Sequence, residues 1–336
     1  MSLLRWLGLA LVGFVLALLT AGWLFTQELA PIGTSDKSVL YRIQMGATFG
    51  QVTQDLGEKK LIRNPDVFKL YVKFCGLQSK IQSGYYRLSP QMSSIDIVNK
   101  LTQGLTEKIP YTIPEGYRIN QASRRLNEYL LSPERYIEIA QKPDPGLFQK
   151  YPFLKPGKSL EGFLYPDTYF LQGVEKDLIE AQLKRFQEVI LPLWEKRPPE
   201  HKLDLHQTLT LASVVELEGL LDRELPVIAG VFLKRLSIGM KLESDPTTEY
   251  ALGWHQGPKG LSLKDIRIDS PYNTYRYGGL PPGPIGNPGS AAIKAVLYPE
   301  KTAYLYFVAR GDGSHAFSKS YSEHLSAVRR IYFGKS

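Results

Sequence analysis

An uncharged run of twenty residues, Trp6 to Phe25, lies near the start of the chain. A helix of this length can cross a hydrocarbon core of about 30 Å. Because Arg5 precedes the run and Glu28 follows it, the positive-inside bias predicts a cytoplasmic N-terminus and an extracytoplasmic remainder. A cleaved signal peptide is the alternative, but its apolar region is usually about 7–15 residues long. We predict a cytoplasmic tail over residues 1–5 and an uncleaved membrane anchor over residues 6–25.

After a polar linker over residues 26–37, one pattern occurs twice, in Tyr41–Leu56 and again in Tyr111–Leu126. Each copy predicts a short alternating strand, a glycine turn and an amphipathic helix. The matching pairs are Tyr41/Tyr111, Ile43/Ile113, Gly46/Gly116, Val52/Ala122 and Leu56/Leu126. Two copies are too few for a solenoid. We therefore predict an α+β unit over residues 38–105 and a second strand–helix unit or connector over residues 106–150.

The remaining chain, residues 151–336, has a different pattern. Apolar residues at helical spacing predict a helix around residues 178–194, a helix that ends at Gly219 and a helix that ends at Gly239. Residues 240–289 are rich in Gly, Pro, Asn and Tyr and predict irregular loops. A helix, two strands and a terminal helix follow. The predicted fold class is α+β: one transmembrane helix, small α+β units and a mixed α+β domain.

Composition limits the partners and cofactors. The chain has 336 residues, 43% hydrophobic and 22% charged, and a net charge of +8, which suits an anionic partner such as phospholipid headgroups or a wall polymer. The basic residues are scattered and no nucleic-acid motif occurs, so a nucleic-acid partner is disfavoured. Cys75 is the single cysteine, which excludes an intrachain disulfide or a cysteine-based metal site. The five histidines lack metal-ligand spacing, so we predict neither metal nor cofactor.

Two glutamates, Glu216 and Glu218, lie near the end of an otherwise apolar helix pattern. The helical neighbours of Glu218 are all apolar: Leu211, Val214 and Val215. Apolar surroundings and the negative end of the helix dipole both raise the pKa of a carboxyl. A carboxylic acid that stays protonated beside a cleft can act as the general acid for a glycosidic oxygen. The structural alternative is a cap or an ion pair, for example with Arg223.

Glu216 shares a different face with Ser213, which offers it a hydroxyl partner. The two glutamate side chains point about 200° apart and cannot enter one cleft.

The loop-rich stretch supplies groups that commonly bind sugars. Aromatic rings stack on sugar C–H faces, and Asn, Thr and Tyr side chains donate hydrogen bonds. The residues are Tyr250, Trp254, Tyr272, Asn273, Tyr275 and Tyr277. For any single tyrosine, a place in the core is the alternative.

Four ordered motifs resemble those of the MltG/YceG family of membrane-anchored endolytic murein (peptidoglycan) transglycosylases. They are "LASVVELE", "GMKLESDPTTEYALG", "SPYNTYRYGGLPPGPIGNPG" and "KTAYLYFVARGDGSHAFSKSYSEH". The first small unit, residues 38–105, resembles a LysM module, a strand–helix fold that binds N-acetylglucosamine-containing glycans. A purely structural role for that unit is the alternative. The chain departs from the family pattern at Leu217 and Gly219, where family members more often have a longer polar residue and Thr or Ala.

This resemblance implies that residues 151–336 form the catalytic domain and that Glu218 is the catalytic residue. It also implies a set of substrate-binding residues: Asp245, Thr247, Tyr272, Asn273, Thr274, Tyr275, Gly279 and Pro281. The implied reaction cleaves the β-1,4 bond between N-acetylmuramic acid and N-acetylglucosamine in nascent peptidoglycan and leaves 1,6-anhydro-N-acetylmuramic acid ends, terminating glycan elongation. Its partners would be glycan strands, the inner membrane and cell-wall synthesis enzymes.

Two alternatives remain open from the residues. One is a non-catalytic scaffold that binds peptidoglycan. The other is a hydrolytic muramidase in which Asp245 serves as the second carboxylate, since ordinary glycosidases use two.

Overall fold

A computed structural model describes residues 2–171, 173–253 and 260–334. The chain forms two compact units. Unit 1 comprises residues 1–110 and 170–174, and unit 2 comprises residues 111–169 and 175–336. The connector predicted for residues 106–150 is thus divided between the units, with most of it in unit 2. The predicted fold class, mixed α+β with one long apolar N-terminal helix, is confirmed; the LysM likeness stays a prediction.

Unit 1 begins with the long helix and continues as a small α+β body. Its elements are α1 (Ser2–Glu28), β1 (Val39–Ile43), α2 (Phe49–Glu58), α3 (Pro65–Phe74), β2 (Gly84–Leu88) and α4 (Ser94–Thr102). Strands β1 and β2 pair antiparallel, with Val39 opposite Leu88 and Ile43 opposite Gly84. Tyr41, Leu56, Phe68 and Leu101 belong to the core that the helices close over this hairpin.

Helix α1 is long and apolar enough over Trp6–Glu28 to cross a membrane, and none of that span is buried. An exposed apolar helix of this length in water would lose the favourable burial that other helices obtain. The predicted anchor over residues 6–25 therefore has the length and surface that a bilayer requires.

Unit 2 contains the remaining elements, apart from the strand ends that fall in unit 1. The first are β3 (Ile109–Thr112), α5 (Ile119–Ser123), α6 (Pro133–Gln141), α7 (Pro145–Lys150), β4 (Thr168–Leu171), α8 (Glu175–Val189) and α9 (Leu191–Glu195). The others are α10 (Leu205–Glu218), α11 (Leu225–Ser237), α12 (Asp245–Leu252), α13 (Ser290–Leu297), β5 (Tyr306–Ala309), β6 (His315–Ser318) and α14 (Tyr321–Tyr332). Strand β3 pairs with β4, and β5 with β6.

The internal repeat is visible in the structure. Tyr41 donates a hydrogen bond from its hydroxyl to the carbonyl of Val52 at 3.3 Å, and Tyr111 donates the corresponding bond to Ala122. The matched glycines, residues 46 and 116, have positive φ angles of 81° and 74°. A positive φ costs a residue with a Cβ more than it costs glycine. The same tyrosine-to-helix contact and the same glycine turn therefore shape both copies.

The loop-rich stretch contains a helix that the sequence analysis left as irregular chain, so that prediction was wrong for Asp245–Leu252. The start and stop signals explain the helix: Ser244 is the N-cap, Pro246 lies in the first turn, and Gly253 ends it with φ of 74°. These are residue types that favour helix termini. Their short spacing made the segment resemble a loop.

Candidate active site

Helix α10 forms the centre of unit 2 and carries the two glutamates. Asp204 caps its N-terminus by accepting a hydrogen bond from the backbone N–H of Gln207, whose side chain accepts in return. The residues of the middle of α10 are buried and pack against α11 and α13. The helix ends at Gly219, as predicted, where a Cβ would come within 2.4 Å of the Leu225 side chain. The glutamates thus lie in the last turn of a rigid element.

The carboxyl of Glu218 is partly buried and has one hydrogen-bond donor. Ser244 donates its hydroxyl to Oε1 of Glu218 at 2.5 Å. Burial raises the pKa of Glu218 to about 7, and the nearby carboxyl of Asp245 adds to the rise. The Ser244 hydrogen bond and the charge of Arg235 act in the opposite direction. Near neutral pH this group can therefore both give and take a proton, which a general acid–base catalyst must do.

Ser244 is held in place by two buried threonines. Its backbone N–H donates to Oγ1 of Thr274 at 3.0 Å, and Thr247 donates its hydroxyl to the Ser244 carbonyl at 2.7 Å. The two threonine hydroxyls also lie 2.8 Å apart. Each buried polar atom has a partner, so the network is rigid and stable. Thr247 and Thr274, both predicted to bind substrate, hold the residue that contacts Glu218.

Asn273 is completely buried and uses every hydrogen-bonding position of its side chain. Its Nδ2 donates to the carbonyls of Ile266 and Ile268 at 3.0 and 2.8 Å. Its Oδ1 accepts from the Thr248 hydroxyl at 3.2 Å and from the Tyr275 N–H at 3.0 Å. An amide has two donors and one oxygen with two lone pairs, so no capacity is left for a ligand. The residue positions the loop that leads to Tyr275.

The exposed Asp245 and the half-buried Tyr275 form a pair beside Ser244. The Tyr275 hydroxyl donates to Oδ1 of Asp245 at 2.6 Å. Burial and the hydrogen bond to Asp245 raise the pKa of Tyr275, so its hydroxyl stays protonated at neutral pH. Because Asp245 follows Ser244 directly, its carboxyl lies close enough to Glu218 to influence that group's pKa. The site thus presents two carboxyls and a phenol at one end of α10.

Comparisons with known proteins identify the family of this chain. The model of a protein family described as the YceG-like family matches residues 41–330, which is most of the chain. The chain belongs to the YceG-like family. It is 32% identical over 324 residues to a Bacillus subtilis protein named endolytic murein transglycosylase, covering 92% of this chain and 89% of that protein.

Two further relatives extend the comparison of this YceG-like chain. A Streptococcus pneumoniae (strain D39) protein named endolytic murein transglycosylase is 30% identical over 332 residues, which cover 88% of this chain and 59% of that protein. A crystal structure of a YceG-like protein from Listeria monocytogenes has a TM-score of 0.61 and 34% identity, and the match covers 87% of this chain and 99% of that one.

Glu216, the second glutamate of α10 in this YceG-like chain, is bound to the backbone of the loop before α13. Oε2 of Glu216 accepts a hydrogen bond at 2.9 Å from the backbone N–H of Gly289, directly before α13. Ser213, the partner that the helical spacing favoured, instead donates to the carbonyl of Thr210 and accepts from the N–H of Ile285 at 3.0 Å. Burial raises the pKa of Glu216 to about 7. Glu216 therefore ties the loop before α13 to α10.

In the described part of the chain, the remaining predicted site residues make no hydrogen bond to Glu218 or Ser244. The Tyr272 ring packs against Tyr250, with ring centroids 4.8 Å apart. Gly279 lies in an exposed turn with φ of 85°. Pro281 is buried and lines a cavity at the opposite, N-terminal end of α10. Trp254 lies outside the described residues.

Two residues of the site were missed by the sequence analysis. Ser244 lies in the stretch predicted to be irregular, so nothing singled it out; it is the N-cap residue of α12, yet its hydroxyl makes no cap hydrogen bond and bonds Glu218 instead. Arg235 is buried and donates to the carbonyls of Leu305 and Leu242 at 2.7 and 2.8 Å. The bond to Leu242 holds the chain just before Glu243, whose φ of 50° is rare for a residue with a Cβ. Strained backbone of this kind is frequent at functional sites.

Proposed function

We propose that this protein is a lytic transglycosylase that cuts the β-1,4 bond between N-acetylmuramic acid and N-acetylglucosamine in peptidoglycan. The observation that carries the proposal is the Glu218 carboxyl, partly buried, with its pKa raised to about 7 and one oxygen fixed by Ser244. Membership of the YceG-like family and the names of its relatives support peptidoglycan as the substrate.

The reaction uses one residue twice. Protonated Glu218 transfers its proton to the glycosidic oxygen while the bond from that oxygen to the anomeric carbon breaks. The resulting carboxylate removes the proton of the sugar's own C6 hydroxyl, whose oxygen then bonds to the anomeric carbon. The products are a 1,6-anhydro-N-acetylmuramic acid end and a free 4-hydroxyl, and water takes no part. A pKa of about 7 suits both proton transfers.

The remaining site residues have two kinds of role in this proposal. Asp245 and Tyr275 face the substrate, where a carboxylate stabilises positive charge on the sugar ring as the bond breaks. Thr247 and Thr274 hold the backbone of Ser244, directly before Asp245, and Asn273 holds the backbone of Tyr275. Tyr272, Gly279 and Pro281 belong to the walls along which a longer strand extends.

We further propose that α1 anchors the protein in the inner membrane as a single span, with the N-terminus in the cytoplasm and unit 2 outside it. The apolar length of α1 and the arginine before it support this orientation. Nascent glycan strands are made at that membrane surface, so an endolytic cut there terminates elongation. Cell-wall synthesis enzymes in the same membrane are the expected partners.

Substitution of each glutamate of α10 tests the assignment. We expect Glu218→Gln to abolish cleavage, because an amide cannot donate the required proton, while binding of glycan strands persists. Glu216→Gln is the matched control. Glu216 lies in the same turn as Glu218 and has a similarly raised pKa, and the amide oxygen of the substituted glutamine can still accept a hydrogen bond from Gly289. Mass spectrometry of digested strands would show anhydro ends with wild type and the control. Equal activity of Glu218→Gln would refute the assignment.

A hydrolytic muramidase is the second candidate, favoured by the position of Asp245 near Glu218. Asp245 would then serve as the nucleophile or as the base for water, and the products would have reducing ends. Anhydro ends that persist in Asp245→Asn would exclude this mechanism.

A further inference from the structure

A cavity of about 550 Å³ lies in unit 2 at the N-terminal end of α10, away from Glu218. Its lining includes Lys155, Lys158, His206, Gln207 and Pro281. The opposite wall comes from the same Gly- and Pro-rich loop that begins after Tyr275, since Leu280 and Pro282 also line the cavity. Apart from Pro281, which was assigned to the wall of the strand path, the proposed mechanism uses none of these side chains.

The polar groups of this cavity are suited to an anion. Lys155 pairs with the Asp204 carboxylate at 3.1 Å, and that carboxylate also accepts the N–H of Gln207. Within residues 2–171, 173–253 and 260–334, neither the Lys158 ammonium nor the ring nitrogens of His206 have a hydrogen-bond partner. The one acidic residue of the lining is therefore engaged, whereas one full cation and an imidazole remain available.

Gln207, which lines the cavity, shares one face of α10 with the proposed catalytic residue. Gln207 and Glu218 are eleven residues apart, which is three helical turns, so their side chains leave the helix in nearly the same direction. At 1.5 Å per residue the two positions are about 16 Å apart along the axis. A short stretch of glycan strand could span this distance.

We propose that this cavity is a subsite for an anionic substituent of the glycan strand, bound by Lys158 and His206 a few sugars away from the cut. This inference rests on the proposed function. Two parts of a nascent strand carry anionic groups: the stem peptides have carboxylates, and a lipid-linked end has a pyrophosphate. Lysine can bind either as a point charge.

The test uses the full chain in detergent micelles and three strands. One carries stem peptides, one has had its peptides removed by an amidase and the lactyl carboxylates left behind converted to neutral methylamides, and one is lipid-linked. We expect Lys158→Gln to raise KM about threefold on the strands that supply the anion, the size typical of an exposed charge pair. The kcat should stay unchanged because the cavity is remote from the cut. Lys158→Glu should raise KM further, and higher salt should reduce the difference. Lys202→Gln, an exposed lysine outside the cavity, is the matched control.

The pattern of KM values identifies the anion. A rise confined to peptide-bearing strands assigns the stem-peptide carboxylates, and a rise confined to lipid-linked strands assigns the pyrophosphate. An unchanged KM, or an equal rise on strands that lack both groups, overturns the subsite. Binding of the three strands to Glu218→Gln, measured by tryptophan fluorescence, tests the subsite without turnover. If wild type makes no anhydro ends from any strand, the proposed function fails, and these binding data still decide the subsite.

Discussion

The raised pKa of Glu218 has a consequence for stability that can be measured without any substrate. Burial raises this pKa from 4.5 to about 7. Between those values the folded protein holds a proton that the unfolded chain has released, so the free energy of unfolding falls as pH rises through this window. At about 1.36 kcal/mol for each pKa unit, the loss is about 3 kcal/mol, fully present above pH 7 and absent below pH 4.

Glu218→Gln removes this loss because glutamine stays neutral. At pH 4 we expect the variant and wild type to have the same free energy of unfolding, apart from the weaker hydrogen bond with Ser244. At pH 8 we expect the free energy of unfolding of the variant to be about 3 kcal/mol higher than that of wild type. The variant would thus be inactive and more stable, as expected where a catalytic group is kept in an environment that destabilises its charged form.

Hydrogen exchange of α10 peptides, followed by mass spectrometry at several pH values, measures the opening free energy of unit 2 alone. This choice matters because the chain has two compact units and does not need to unfold in one step. The refuting result would be a variant less stable than wild type at pH 8, or a stability difference that does not change between pH 4 and pH 8. Either would mean that Glu218 ionises as easily in the folded protein as in the unfolded chain.

Three further substitutions and one control substitution test the residues around the site and the loop before α13. Ser244→Ala removes a hydrogen bond that favours the charged form of Glu218, so the pKa should rise by about one unit and the pH profile of kcat/KM should move to higher pH accordingly. Asn273→Ala should lower the unfolding free energy by about 4 kcal/mol, from about 1 kcal/mol for each of its four hydrogen bonds, as measured by thermal unfolding. Gly286→Ala would place a Cβ within 2.4 Å of a backbone carbonyl oxygen and should cost about 1–3 kcal/mol. Gly278→Ala in the same loop has open space around it and should leave the melting temperature unchanged.

Local patterns in the chain predicted the elements that depend on neighbouring residues only. The apolar run of α1 needs no partner to be recognised, because a bilayer selects for length and composition. The end of α10 at Gly219 and the apolar neighbours of Glu218 follow from helical spacing, which fixes which side chains share a face. The repeat of tyrosine, glycine and helix was also visible in the sequence, because each copy closes its own contact within eleven residues.

Contacts between distant segments were decided by the tertiary structure. Glu218 obtains its partner from Ser244, and Glu216 obtains its partner from the backbone of Gly289 instead of the nearby Ser213. The residue type of Asn273 suggested a sugar ligand, yet its burial and four internal bonds make it a support for the loop. Helical and strand periodicity specify which side of an element is buried, but the chain path between elements determines which hydrogen-bonding groups meet there. That path depends on packing over the whole unit, so a sequence pattern indicated Glu218 as the candidate carboxyl and only the fold identified the residues that hold it.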